Sequence, residues 1–175
     1  TDYLYPQELE DGSVLAMKSG IGNIEQLVSI ANGKEKSAFI PGMINSSGML
    51  SATNSRVVWN EYRYDPRWRV RTYSVIMGYD LGNKTKRMIS RNSRYSSAAI
   101  SPDGYQVATV ESTTEYKTHL VVLDYFSGEV LKRFDNPNND FISMPRWDEK
   151  SQSIYTLHTN QLGKAIVKFD FASGA

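Results

Sequence analysis

The chain has 175 residues and a formal net charge of +1, from 20 Lys and Arg against 19 Asp and Glu. It contains no cysteine, which excludes a disulfide scaffold, a cysteine-based zinc site and a cysteine nucleophile. The sequence has no apolar run of about 18 residues, so we predict no transmembrane helix, and its 40% hydrophobic content at near-zero charge argues against disorder.

The first segment, residues 1–42, shows short apolar stretches between tight turns. Glu10-Asp11-Gly12-Ser13 precedes an apolar stretch that begins at Val14, and a second stretch ends at Asn32-Gly33. Asp and Gly are turn residues because Asp can hydrogen-bond its own backbone and Gly tolerates a positive φ. Residues 24–30 come nearest to helical spacing, but their flanking glycines favour a strand.

The next three segments repeat this pattern. The second segment, residues 43–92, opens a strand at Thr53-Asn54-Ser55-Arg56, lacks a Pro-Asp-Gly turn and carries extra residues. The third, residues 93–138, contains Ser101-Pro102-Asp103-Gly104 and predicts strands at residues 98–101, 106–112, 118–124 and 130–134. The fourth, residues 139–175, turns at Asp148-Glu149-Lys150-Ser151 and again at Gly174.

The spacing of the turns identifies a repeat. The second turn of each segment carries Gly33, Gly82, Gly128 or Gly174, and these glycines are separated by 49, 46 and 46 residues. Four short antiparallel strands in a unit of about 40–50 residues are typical of a β-propeller blade. We therefore predict an all-β fold of about four blades, with the last one incomplete, and we expect the chain to be part of a longer propeller.

The Ser-Pro-Asp-Gly turn, the apolar strand after it and the later apolar-Asp-x-Gly turn resemble the WD40-like repeat of TolB-type propellers. The match is best over residues 95–136 and good over residues 140–174. The resemblance implies a recognition module in a bacterial periplasm or at a cell surface. It also extends to the non-catalytic propeller of prolyl-oligopeptidase-like peptidases. A propeller fold alone does not specify a function.

One stretch of the second segment stands out as a candidate binding site. Residues 59–73, expected to connect two strands, combine aromatic rings with arginines, which suit a peptide, protein or glycan partner. The candidate ligand contacts are Glu61, Arg63, Asp65, Arg67, Trp68, Arg71 and Tyr73. The alternative is a brace between blades, in which Glu61 and Asp65 pair with the arginines. The sequence leaves both interpretations open.

The charge distribution argues against a nucleic-acid partner. Residues 61–95 hold nine Lys and Arg against three acids, which makes the second segment basic. The net charge of the whole chain is nevertheless only +1, far below that of a typical nucleic-acid-binding domain. We therefore expect a protein, peptide or glycan partner and no nucleic acid.

Catalytic signals are weak. His119 and His158 lie on predicted strands without a metal-ligand partner at local spacing, so we predict no catalytic residue, metal site or cofactor. The aspartates that precede the second turns are interpreted as turn caps; they are Asp80, Asp124 and Asp170. The innermost strands are predicted at residues 5–9, 47–51, 98–101 and 142–146, where Glu8 is the only acid.

These observations predict a non-catalytic recognition or scaffold module of a larger extracytoplasmic protein. The alternative is the accessory or catalytic propeller of a hydrolase, such as a prolyl-oligopeptidase-type peptidase or a glycan-active enzyme, whose active residues lie outside residues 1–175. An open arc of blades leaves sheet faces uncovered, so we also expect contacts with the rest of a parent chain or with a second copy.

Overall fold

The computed structural model describes residues 1–44, 50–68, 70–150 and 152–171, and these residues form an all-β structure of four antiparallel sheets. The first sheet contains β1 (Asp2–Glu8), β2 (Val14–Ser19), β3 (Gln26–Ala31) and β4 (Lys34–Phe39). The second contains β5 (Ser51–Ala52), β6 (Arg56–Tyr64), β7 (Thr72–Asp80) and β8 (Thr85–Met88). The third contains β9 (Tyr95–Ile100), β10 (Gln106–Ser112), β11 (Thr118–Asp124) and β12 (Val130–Arg133). The fourth contains β13 (Phe141–Trp147), β14 (Ser153–Asn160) and β15 (Gly163–Asp170). In the described part of the chain, no helix is long and apolar enough to cross a membrane.

Each sheet is built from strands that follow one another in the chain, and neighbouring sheets pack face to face. Successive side chains of a strand point to opposite faces, so one strand can supply two cores. On β6, Val57 and Trp59 pack in the cluster shared with the first sheet, whereas Val58 packs in the cluster shared with the third sheet. The two middle sheets are therefore apolar on both faces, as blades of a propeller arc must be.

The predicted strand positions agree best in the third sheet. The strands predicted at residues 106–112 and 118–124 match β10 and β11, and β12 ends one residue before the predicted end. The innermost strand differs, because β9 begins at Tyr95, three residues before its predicted start at residue 98. Likewise β1 begins at Asp2, which adds a second acid to the innermost strands. Residues 47–49 of the predicted second inner strand lie outside the described residues.

The strands of every sheet end on one of two opposite sides of the arc, which we call the turn end and the linker end. The turn end carries the turns between the first and second strands of each sheet and between the third and fourth strands of the first three sheets. The linker end carries the hairpins between the second and third strands together with the links from one sheet to the next. Residues 59–73 reach the linker end, whereas the Asp-Gly turns lie at the turn end.

Aspartates cap the turns, as predicted for Asp80 and Asp124. Asp80 Oδ1 accepts a hydrogen bond from the Asn83 amide at 2.7 Å, and Asp124 Oδ1 accepts from the amides of Phe126 and Ser127. The Ser127 amide is the main reason that the pKa of Asp124 lies below its ordinary value. Asp170 ends β15, and the predicted Gly174 turn after it lies outside the described residues.

Candidate functional site

The stretch predicted as a connecting loop is mostly a hairpin. β6 and β7 pair without interruption from Arg56 opposite Asp80 to Tyr64 opposite Thr72. Residues 59–64 and 72–73 therefore belong to strands, and only residues 65–71 connect them; Arg69 lies outside the described residues. The correction follows from composition, because tyrosine, tryptophan and valine favour strands even where charged residues alternate with them.

Asp65 organises the turn of this hairpin. Its Oδ1 accepts hydrogen bonds from the amides of Arg67 at 2.8 Å and Trp68 at 3.1 Å, and the Tyr73 hydroxyl donates to Oδ2 at 3.3 Å. The Arg67 amide is the main cause of a lowered pKa at Asp65, and the nearby Arg71 guanidinium acts in the same direction. The predicted partnership of Asp65 with arginine side chains is thus largely replaced by capping of the backbone.

Glu61 lies beneath the hairpin and is fully buried. Its Oε1 accepts hydrogen bonds from the Gly42 amide at 2.7 Å and from the Trp59 indole N–H at 2.8 Å. Its Oε2 accepts from Arg63 Nη2 at 2.7 Å, which makes the ion pair that the sequence suggested. Because protein donors occupy both oxygens, we assign Glu61 a structural role in place of the predicted ligand contact.

A cleft of about 450 Å³ opens beside the hairpin at the linker end. One wall comes from the hairpin and the other from the link between the second and third sheets. The residues that line the cleft are Arg63, Tyr64, Asp65, Pro66, Arg67, Tyr73, Val75, Met88, Arg91 and Asn92. Four of the seven predicted contacts, namely Arg63, Asp65, Arg67 and Tyr73, thus share one concave surface.

Two further predicted contacts lie on the rim rather than in the cleft. Trp68 is 64% exposed at the hairpin tip. The Arg71 guanidinium carbon lies 5.3 Å from the centre of the Tyr73 ring, within cation–π range. Sequence reasoning missed Arg91 and Asn92, which sit 18 residues or more beyond the hairpin turn and carry no local signal of belonging to it. The basic composition of residues 61–95 was the only hint.

Each of the two histidines contacts a protein oxygen through Nδ1. His119 Nδ1 lies 3.4 Å from the carbonyl oxygen of Phe134, and buried His158 places Nδ1 3.4 Å from Asp140 Oδ2. Among the described residues, no group of three or more His, Cys, Asp or Glu side chains is arranged to hold a metal ion.

Comparison with solved structures identifies the fold. A crystal structure of TolB from Acinetobacter baumannii superposes with a TM-score of 0.75 at 14% sequence identity, over 99% of this chain and 42% of that one. A putative TolB from Agrobacterium tumefaciens gives 0.69 at 9% identity, over 94% and 60%. A structure from a study of two prolyl endopeptidases gives 0.62 at 12% identity, over 99% and 27%.

The fold is therefore that of a TolB-like β-propeller, of which these residues form an arc of blades. The chain spans 42% and 60% of the lengths of the two TolB structures. No protein-family model matches the sequence, and no curated protein matches it. At identities this low, the likeness concerns the fold alone.

Proposed function

We propose that this arc of TolB-like propeller blades is a non-catalytic recognition or scaffold module of a larger extracytoplasmic protein. It binds a protein, peptide or glycan through the cleft and the hairpin tip at the linker end of the second blade. The observation that carries the proposal is the concentration of exposed arginine and aromatic side chains around one concave surface.

The site has the features of an interface that is rigid at its base and open at its rim. The hairpin is held by nine consecutive residue pairs between β6 and β7 and by buried Glu61, so the side chains at its tip project from a fixed backbone. Trp68 and Tyr64 are 64% and 58% exposed. Aromatic and arginine side chains are the residues that most often dominate binding energy at protein interfaces.

The extracytoplasmic setting rests on two supports. The fold is shared with structures of a TolB and a putative TolB from two bacteria. The repeat motif resembles that of TolB-type propellers, and this resemblance implies a bacterial envelope setting.

The proposal is tested by replacing Arg67, Trp68 and Arg71 together with alanine. These substitutions leave the Asp65 cap and the pairing of β6 with β7 intact, so we expect the free energy of unfolding to change by less than about 1 kcal/mol in total. Screened on a peptide library and a glycan array, the wild-type chain should retain ligands that the triple variant loses. A melt that collapses in the triple variant would instead show that the hairpin tip is a brace.

A matched control comes from the equivalent hairpin of the third sheet. Tyr116 is 86% exposed at its tip and Lys117 follows it, so the double variant Tyr116→Ala, Lys117→Ala removes an aromatic and a cation at the same end of the arc. It should keep the ligands of the wild type. Loss of the same ligands in this control would point to a site elsewhere at the linker end.

A second candidate function is the accessory propeller of a hydrolase. The superposition on a prolyl endopeptidase structure favours it, since that structure includes a propeller of this kind within a much longer chain. In this case the cleft would contact the rest of the parent protein. A hydrolase domain encoded in the same reading frame, and peptide hydrolysis by the expressed full-length product, would support this alternative.

A further inference from the structure

We propose that the cleft beside the β6–β7 hairpin binds an acidic peptide segment, with Arg67 and Arg91 receiving its carboxylates. This inference rests on the proposed recognition function and specifies the chemistry of the ligand.

The cleft holds cations that the protein itself does not neutralise. Arg67 comes from the hairpin and Arg91 from the link between sheets, and both are exposed. No carboxylate among the described residues forms an ion pair with either of them. Two guanidinium groups on opposite walls are therefore available to an outside acceptor, and a guanidinium fork matches a carboxylate in shape and charge.

The carboxylate oxygens of the two acids near the cleft, Asp65 and Glu61, already accept hydrogen bonds from donors of the protein. Among the described residues, Asp65 is the only carboxylate in the cleft lining, and backbone amides and the Tyr73 hydroxyl occupy its oxygens. Buried Glu61 forms an ion pair with Arg63, so the charge of Arg63 is neutralised while its guanidinium plane still lines the cleft. Neither carboxylate can form an ion pair with Arg67 or Arg91 without losing hydrogen bonds that stabilise the hairpin.

The base of the cleft is apolar and aromatic. Val75 is buried, and Met88 and Tyr73 pack against the core cluster between the first two sheets. Tyr64 adds an exposed ring at the edge. This base suits a ligand that alternates carboxylates with apolar side chains, as a short acidic peptide segment does when extended.

The same features disfavour a polyanion. Sulfated glycans and nucleic acids carry charge at every repeat, and their binding sites need a track of cations with few acids nearby. Here the described lining offers three arginines, one of them paired, together with one aspartate, two tyrosines and three apolar side chains. A lining with few unpaired cations and several apolar and aromatic side chains favours a peptide with few charges over a uniformly charged chain.

The test uses the 175-residue chain and isothermal titration calorimetry. The probe is a synthetic peptide in which glutamates alternate with leucine and phenylalanine, and its matched partner has glutamine at each glutamate. We expect the acidic peptide to bind and the glutamine peptide to bind at least about tenfold more weakly. Arg67→Gln with Arg91→Gln should weaken the acidic peptide to the same extent, because both substitutions remove only the cation.

The control variant is Lys34→Gln with Lys36→Gln, which makes the same change in net charge on exposed β4 residues of the first sheet. It should leave binding unchanged, and raising the salt concentration should weaken binding to the wild type. An equal loss in this control would mean general charge attraction and would overturn the proposal.

Three other outcomes would also overturn it. If both peptides bind equally and binding depends on Trp68, the recognition function stands and the acidic ligand is wrong. If a heparin oligosaccharide binds through Arg67 and Arg91 and the acidic peptide does not, the ligand is a polyanion. If nothing binds and the triple variant of the hairpin tip loses no ligand in the library screen, the recognition function itself fails.

Discussion

Glu61 and Gly42 are joined by a hydrogen bond of 2.7 Å from the Gly42 amide to Glu61 Oε1, across 19 residues of chain. Gly42 belongs to the link between the first and second sheets, and Glu61 lies within the central hairpin of the second. The carboxylate thus ties an inter-blade link to the hairpin that forms one wall of the cleft.

Glu61→Ala should be strongly destabilising. It removes the acceptor of the Gly42 amide and the Trp59 indole, and it leaves Arg63 without its partner. Because Arg63 is partly exposed, water compensates some of the loss, and we expect a cost of about 2–4 kcal/mol in the free energy of unfolding. Urea denaturation of the wild type and the variant measures it.

Two companion variants make this measurement specific. Glu61→Gln keeps one oxygen acceptor and should lie between the wild type and the alanine variant. Glu115 is exposed and pairs only with neighbouring Lys117, so Glu115→Ala should change stability by less than about 1 kcal/mol. A cost of Glu61→Ala as small as that of Glu115→Ala would refute the bracing role.

Gly42→Ala should destabilise the fold through the same contact. A Cβ on Gly42 would lie 2.5 Å from Glu61 Oε2 and 2.9 Å from its Cδ, too close for the buried carboxylate to keep its position. We expect about 1–3 kcal/mol of destabilisation. With Glu61→Ala in the same chain, the penalty of Gly42→Ala should largely disappear. A double variant whose cost equals the sum of the two single costs would contradict this coupling.

The sequence predicts the fold correctly where a turn motif of a few adjacent residues determines the position of a strand. Asp103 and Gly104 lie within one turn, and the Asp103 side chain accepts the Tyr105 amide two residues later, so the turn and the strand after it follow from a few adjacent residues. The strands β10 and β11 are accordingly placed where the sequence predicts them. Inner strands were less predictable, because β9 begins directly after a link and has no turn motif before it.

The candidate site was predictable only in part for a related reason. The residues of the hairpin are contiguous, so their composition alone predicts a candidate site there. The burial of Glu61 depends on Gly42 in the preceding link, and the second wall of the cleft depends on Arg91 in the following one. A single sequence contains no local pattern that would reveal either contact. A charged residue within a strand was therefore misread as part of a loop.

Arg56 joins the second and third sheets at the turn end and should matter more than a surface arginine. Its Nη1 donates to the Gly104 carbonyl oxygen at 2.6 Å, and its guanidinium carbon lies 4.7–5.0 Å from three aromatic ring centres. The rings belong to Tyr105, Tyr125 and Phe126. We expect Arg56→Ala to cost about 2–3 kcal/mol in urea denaturation.

Arg56→Lys should recover less than half of that loss, because an ammonium group cannot stack as a planar guanidinium does. The reference variant is Arg133→Ala, since Arg133 is half exposed and pairs with Glu111 at the linker end. It should cost less than about 1 kcal/mol. Full recovery by lysine would show that charge alone, without stacking, accounts for the effect of Arg56.

Asp65 should make the stability of the hairpin depend on pH in the acid range. The Arg67 amide, followed by the Trp68 amide and the Tyr73 hydroxyl, holds the pKa of the Asp65 carboxyl below its ordinary value. A carboxyl whose pKa is lower in the folded state stabilises the fold above its ordinary pKa of about 3.9, and the contribution is lost as the pH falls through the folded-state value. The melting temperature of Asp65→Ala should therefore fall below that of the wild type at neutral pH, and the difference should shrink as the solution is acidified below about pH 4.

Two control variants make the measurement specific. Asp65→Asn retains an oxygen that can accept the Arg67 amide but cannot ionise, so the difference in melting temperature between Asp65→Asn and Asp65→Ala should stay constant with pH. Tyr116→Ala, at an exposed hairpin tip, provides the baseline, because its difference from the wild type should also be constant over this range. A wild-type advantage over Asp65→Ala that persists unchanged in acid would mean that the turn depends on the shape of the side chain and not on its charge.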